Sequence, residues 1–189
     1  MESRKTDDTI TKNNTSSLFP PTLDSQPEAT NAGTIIIKGI AQSGRTVLVK
    51  RNNVEVGKTL SGNDGVFFLG PIELKPGDNS IFALTWADKQ ESKESNTIHI
   101  TYKKDPPKLD VTSPQPNSVY TGEDKEVRIE GNTDNDAILT INDRLVPVDG
   151  KGYFSLSYKL SDGDNKIKIV AKDTAGNEIN QELTVKYRP

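Results

Sequence analysis

"LSDGDNKIKI" at residues 160–169 is a leucine, a glycine corner and then an alternating run, and a near copy, "LKPGDNSIFA", stands at residues 74–83. In each, an asparagine (Asn165, Asn79) follows Gly-Asp and precedes a segment with an apolar residue at every second position, the period of a β-strand. Gly163 and Gly77 supply the positive φ of a tight corner. An asparagine amide both donates and accepts, so it can bond main-chain groups that a chain crossing between sheets leaves without ladder partners. We therefore expect Gly77, Asn79, Gly163 and Asn165 to be structural corner residues, with Asn165 buried and bonded to the preceding loop.

The duplication extends outward from this corner. "PPTLD" at 20–24 returns as "PPKLD" at 106–110. Ile35, Ile37 and Gly39 return as Val127, Ile129 and Gly131, and Val47 and Val49 as Leu139 and Ile141, all at an offset of 92; Val54 and Val56 pair with Val146 and Val148 at the same offset. Phe67 and Leu69 return as Phe154 and Leu156 at an offset of 87, the corner at 86, and Ile98, Ile100 and Tyr102 as Leu183, Val185 and Tyr187 at 85. The offset changes only between alternating runs, as strands require, because one inserted residue would turn every later side chain to the wrong face. Seven or eight short strands per copy, punctuated by "PGDN", "DGKG", "SDGDN" and "TAGN", is the content of an immunoglobulin-like sandwich. The predicted fold is all-β: a disordered tail over 1–19, then two tandem immunoglobulin-like β-sandwich domains over 20–105 and 106–189. The inward set of the second copy is predicted as Val127, Ile129, Leu139, Ile141, Val148, Phe154, Leu156, Ile167, Ile169, Ala171, Leu183, Val185 and Tyr187.

Composition bounds the function. The 189 residues are 32% hydrophobic with a mean hydropathy of −0.64, and the apolar runs are far too short for a membrane helix. There is no cysteine, which removes disulfides, thiolate nucleophiles and Cys-ligated zinc. Residues 20–105 carry ten acids and ten bases, and residues 106–189 fourteen acids and eleven bases. No basic stripe provides a footprint for phosphates, so nucleic acid is not expected as a partner. The tail is polar and charged; its N-x-[ST] matches at Asn13 and Asn14 are read as chance, and with no apolar stretch after Arg4-Lys5 the protein is expected to be either cytoplasmic or given without its export segment.

Chemistry-bearing residues are few. The sole histidine, His99, lies between inward Ile98 and Ile100 and so points outward. Asp134 with Asp136 and Asp162 with Asp164 sit in turns, where Asp is favoured for backbone reasons. Asn132, Asp134 and Asp136 match the first half of a calcium loop, which then fails at Ala137 and Asp143. No glycine-rich phosphate loop joins a strand to a helix. The expectation is no catalysis, no cofactor and no metal. Trp86, out of phase with Ile81, Ala83 and Thr85, is the candidate carbohydrate contact; Tyr153 and Tyr158 are also read as outward.

The stretch "GNTDNDAILTINDRLVPVDGKGYFSLSYKLSDGDNKIKIVAKDTAGNE" from Gly131 onward resembles the bacterial Ig-like repeats of the glucodextranase domain B type. The resemblance rests on the loop from Gly131 to Asp136, "DGKGYFS", "L-x-x-G-x-N" and the D-x-x-G-N turn at Asp173, Gly176 and Asn177, which are taken as structural turn residues. The first copy is a degenerate version that keeps "NDGVFF" and "LKPGDN" but has "TWADKQESKESN" in place of the last turn. The resemblance implies a bacterial extracellular or cell-surface module, used as a spacer or adhesive element, with a cell-surface protein or glycan as partner; the alternative is a carbohydrate-binding accessory module. A monomer is expected.

Overall fold

The computed structural model describes residues 18–123 and 125–189. The tail predicted over 1–19, with Asn13 and Asn14, lies outside the described residues except for Leu18 and Phe19. Phe19 is already tied to the first copy: its N–H donates to Gln42 Oε1 at 3.0 Å and its carbonyl accepts from Thr85 Oγ1 at 2.8 Å.

The first copy contains β1 (Thr22–Leu23), β2 (Ala29–Thr30), β3 (Thr34–Ile40), β4 (Thr46–Arg51), β5 (Val54–Leu60), β6 (Val66–Glu73), β7 (Gly77–Ala87), β8 (Gln90–Glu91) and β9 (Ile98–Tyr102). The second contains β10 (Leu109–Ser113), β11 (Val119–Thr121), β12 (Glu126–Thr133), β13 (Ile138–Ile141), β14 (Arg144–Val146), β15 (Tyr153–Lys159), β16 (Gly163–Lys172) and β17 (Glu178–Arg188). Strand order is the same twice. A three-stranded sheet, β1-β3-β6 or β10-β12-β15, faces a larger one, β2-β9-β7-β4-β5 with β8 beside β7, or β11-β17-β16-β13-β14. Even the parallel pairs repeat, β2 with β9 and β11 with β17. Among the described residues no sheet contains strands of both copies.

Alternation decides which residues fill each sandwich. Ile37, Val47, Val49, Phe67, Ile81 and Ile100 form the first core, and Ile129, Leu139, Ile141, Phe154, Ile167 and Val185 the second, all at most 2% exposed. Both cores close around the same device. Gly131 pairs with Phe154 as Gly39 pairs with Phe67, and in each case a Cβ on the glycine would lie 2.8 Å from the ring and inside contact distance of a carbonyl, of Asp110 or Thr22. Only glycine lets the edge strand and the phenyl ring approach this closely.

Three expectations need correction. Val54 is 60% exposed whereas Val146 is 2%: β4 runs on through Arg51, bulges at Val49/Lys50 against β5 and turns at Asn52-Asn53, while β13 turns directly after Ile141. The two valine pairs therefore do not occupy matching places. In the second core, Ala137, Val146 and Leu160 are buried in addition to the predicted set, and Val148 and Leu156 are only partly buried. Tyr158 is also not outward, since it shares a face with Phe154 and Leu156 and packs against the core. Its hydroxyl accepts from Asn142 Nδ2 at 2.9 Å.

Candidate functional site

The doubled corner is built alike in both copies. Gly77 and Gly163 have φ of 84° and 85°. Asn165 is 7% exposed; its Oδ1 accepts from Ser161 N at 2.8 Å, and its Nδ2 donates to the carbonyls of Ser161 at 2.8 Å and Gly163 at 3.1 Å. Asn79, 1% exposed, makes the same three bonds with Lys75 and Gly77 and adds a longer one, 3.4 Å, to the Ile100 carbonyl. Each amide spends its donors and acceptor on main chain, which is the use of asparagine that a sheet-to-sheet crossing demands.

The turn after β16 is organised by Asp173. Its Oδ1 accepts from Ala175 N at 2.9 Å and Asn177 N at 2.8 Å, and its Oδ2 from Asn177 Nδ2 at 2.9 Å. Burial pushes this carboxyl up, but the Asn177 amide, the two N–H groups and the charge of Lys103 outweigh it and hold the group below its ordinary 3.8. A carboxylate depressed on folding stabilises the folded state fully above its unfolded value and loses that contribution as pH falls through the lower folded value. The second copy should therefore unfold more easily on acidification below about pH 4, and Asp173→Asn should flatten that part of its denaturation midpoint against pH. An equal slope in the variant would remove Asp173 as the cause.

The acidic loop does not gather into a cation site. Asp136 Oδ2 pairs with Lys103 Nζ, and Asp134 Oδ2 accepts from Lys108 N at 3.4 Å. The hydrogen bond to Asp136, against desolvation, raises the Lys103 ammonium above its usual range. Among the described residues no group of three His, Cys, Asp or Glu is placed to hold a metal ion. Asp162 and Asp164 pair with Lys125 at 2.6 Å and Lys186 at 3.6 Å. His99 is exposed on β9, opposite Ser80.

Trp86 lies on the outer face of the larger first-copy sheet, 41% exposed, with Lys58 Nζ 5.8 Å from its ring centroid. Below it is a small second core that sequence reasoning missed, Leu48, Phe82 and Leu84, at 4–5% exposure. Register places Lys58 opposite Leu48, and Lys50 opposite Phe82. Lys50 reaches Glu91 at 3.6 Å, across β7. Two lysine stems thus roof the apolar cluster while their charges stay in water. The available signal was the run "IFAL" at 81–84, apolar at successive positions, which implies cover on both faces of a strand. The segment "TWADKQESKESN" resolves as a hairpin turning at Asp88-Lys89, both with positive φ. An irregular stretch follows, from which Asn96 exchanges two hydrogen bonds with the main chain of Leu23 on β1, at 2.8 and 3.0 Å.

Two sandwiches of identical strand order, each closed by the same glycine-phenylalanine contact and the same asparagine corner, define a tandem Ig-like β-sandwich protein. Residues 107–188, most of the second copy, match the family model for glucodextranase, domain B. The chain is 29% identical over 156 residues to bacillopeptidase F of Bacillus subtilis (strain 168), covering 82% of this chain but only 11% of that relative's length. Among solved structures it is similar to the fibronectin(III)-like modules of Clostridium thermocellum CbhA, with a TM-score of 0.50 at 15% identity over 88% of this chain and 94% of that one. It is equally similar to Rst D1-D2, with a TM-score of 0.50 and 15% identity over 90% and 97%. At these identities the likeness is one of fold.

Proposed function

We propose that this chain is a non-catalytic spacer or adhesive module displayed outside the bacterial cell. The observation that carries the reading is where the motif residues are spent: Asn79, Asn165, Asp173 and Asn177 bond main chain at strand corners and turns. A motif used this way specifies a shape to be repeated rather than a reaction. Support for an exported setting comes from the match of residues 107–188 to the model for glucodextranase, domain B. The chain is read as a monomer whose partner is a cell-surface protein or glycan.

The second reading, a carbohydrate-binding accessory module, has one feature in its favour, the partly exposed Trp86 ring beside a lysine. Sugar-binding faces stack pyranose rings on open aromatic faces, and Lys58 stands over this ring. A glycan array with the full chain and its Trp86→Ala variant separates the two. We expect no glycan signal that depends on Trp86. Binding that disappears in Trp86→Ala, with the fold retained, would replace the spacer reading by the accessory one.

A further inference from the structure

The two copies meet through Lys103. Its N–H donates to the carbonyl of Thr30 in the first copy at 3.0 Å. Its carbonyl accepts from Asn177 Nδ2 of the second copy at 2.9 Å, partly buried, and its ammonium pairs with Asp136. One residue is thus tied backward by its donor and forward by its acceptor and its charge. The receiving groups are set in advance: Asp173 fixes the Asn177 amide, and Thr133 Oγ1 donates to the carbonyl of Lys108 at 2.6 Å, holding the far end of the linker. An exposed ion pair alone contributes little. Here it acts with main-chain bonds at both ends of a segment that Pro106-Pro107 already stiffens.

The donor of this contact recurs. Lys103 follows Tyr102 as Arg188 follows Tyr187, at the same offset of 85, and Arg188 is exposed. We infer that the Asp136 and Asn177 pole of the second copy is a socket for the cationic strand end of a preceding Ig-like repeat. Arg188 is then the matching plug for another repeat whose pole carries an acidic loop and an Asp-x-x-Gly-Asn turn. The first copy has no such socket. Gln42, Ser43 and Gly44 stand where the second copy has Asp134, Asn135 and Asp136, and the Asp88-Lys89 hairpin replaces the turn from Asp173 to Asn177. The joint therefore has a direction.

The inference builds on the spacer reading for its use but not for its geometry, so the glycan array and the following experiment can fail separately. Residual dipolar couplings on the full chain should fit one alignment tensor for both copies. Lys103→Asp should split them into two tensors, and the reversed pair Lys103→Asp with Asp136→Lys should restore one. The couplings within each copy serve as the check on folding. Salt at 1 M, where the screening length is ~3 Å, should loosen the ion pair without the carboxylate repulsion that Lys103→Asp sets against Asp136, so the main-chain bonds to Thr30 and Asn177 should keep the tensors closer than in that variant. A third repeat, made by appending residues 104–189 after Arg188, should share the tensor of the second copy and lose it in Arg188→Glu. Two tensors in the unmodified chain, failure of the reversed pair to rescue, or a third repeat aligned independently of Arg188 would each overturn the joint.

Discussion

Phe154→Ala is expected to destabilise the second copy by about 3–5 kcal/mol, a large share of the total stability of a small domain. The ring is 1% exposed and occupies the space between Gly131 on β12 and Val148, its bridge partner. A cavity left by a phenyl ring collapses only if its walls can move. One wall here is the backbone of Gly131, held between β10 and β15, so little relaxation is available and the cost should lie toward the upper part of the range. Thermal denaturation should show the second copy melting well over ~10 °C lower, with the first copy unmoved because its core contains Phe67 instead. Phe67→Ala should reverse the pattern. A Phe154→Ala protein that melts like the parent would mean that the two sandwiches are not filled as described.

Asn165→Ala should cost on the order of 1–3 kcal/mol, although it removes only a short polar side chain. The loss is one of satisfaction. Ser161 N, the Ser161 carbonyl and the Gly163 carbonyl all lose their partner at once in a site where Asn165 is 7% exposed. Aspartate is not a repair, because it keeps the acceptor for Ser161 N but, while ionised, supplies neither donor. Urea denaturation of Asn165→Ala and Asn165→Asp at neutral pH should therefore place both below the parent, with any surface binding of the folded fraction unchanged. Parent-like stability in both variants would remove the corner as an architectural element and leave the repeated Gly-Asp-Asn available as a ligand loop.

Both effects concern residues that the duplicated sequence picks out, which shows how much of the molecule is locally written. Strand phase was legible because burial on one face of a sheet enforces alternation. Gly131 and Phe154 recur as Gly39 and Phe67 because their contact is the same in each copy. Hairpin turns were harder. Asn52-Asn53 and Asn142-Asp143 both take positive φ, yet the strands before them differ in length, and the similar-looking Val54 and Val146 differ in burial, 60% against 2% exposed. Tyr158 is in phase with Phe154 and Leu156, so alternation itself places it inward against the outward reading, and its contact with Asn142 depends on the β13–β14 turn of the other sheet of the same copy.

The sequence by itself determined that a sandwich of one strand plan is built twice, where its corners fall, and that the Asp-x-x-Gly-Asn turn exists in the second copy only. These are properties of local periodicity and of residues whose backbone preferences are strong. Only the tertiary structure decided what those parts touch. Asn177 meets the carbonyl of Lys103 across 74 residues, and Asn96 meets Leu23 across 73. The lysine stems over Leu48, Phe82 and Leu84 come from neighbouring strands of the same sheet. Alternation states which face of a strand needs cover but not which distant group arrives to provide it, because that choice is made by the packing of whole sheets and of one copy against the next.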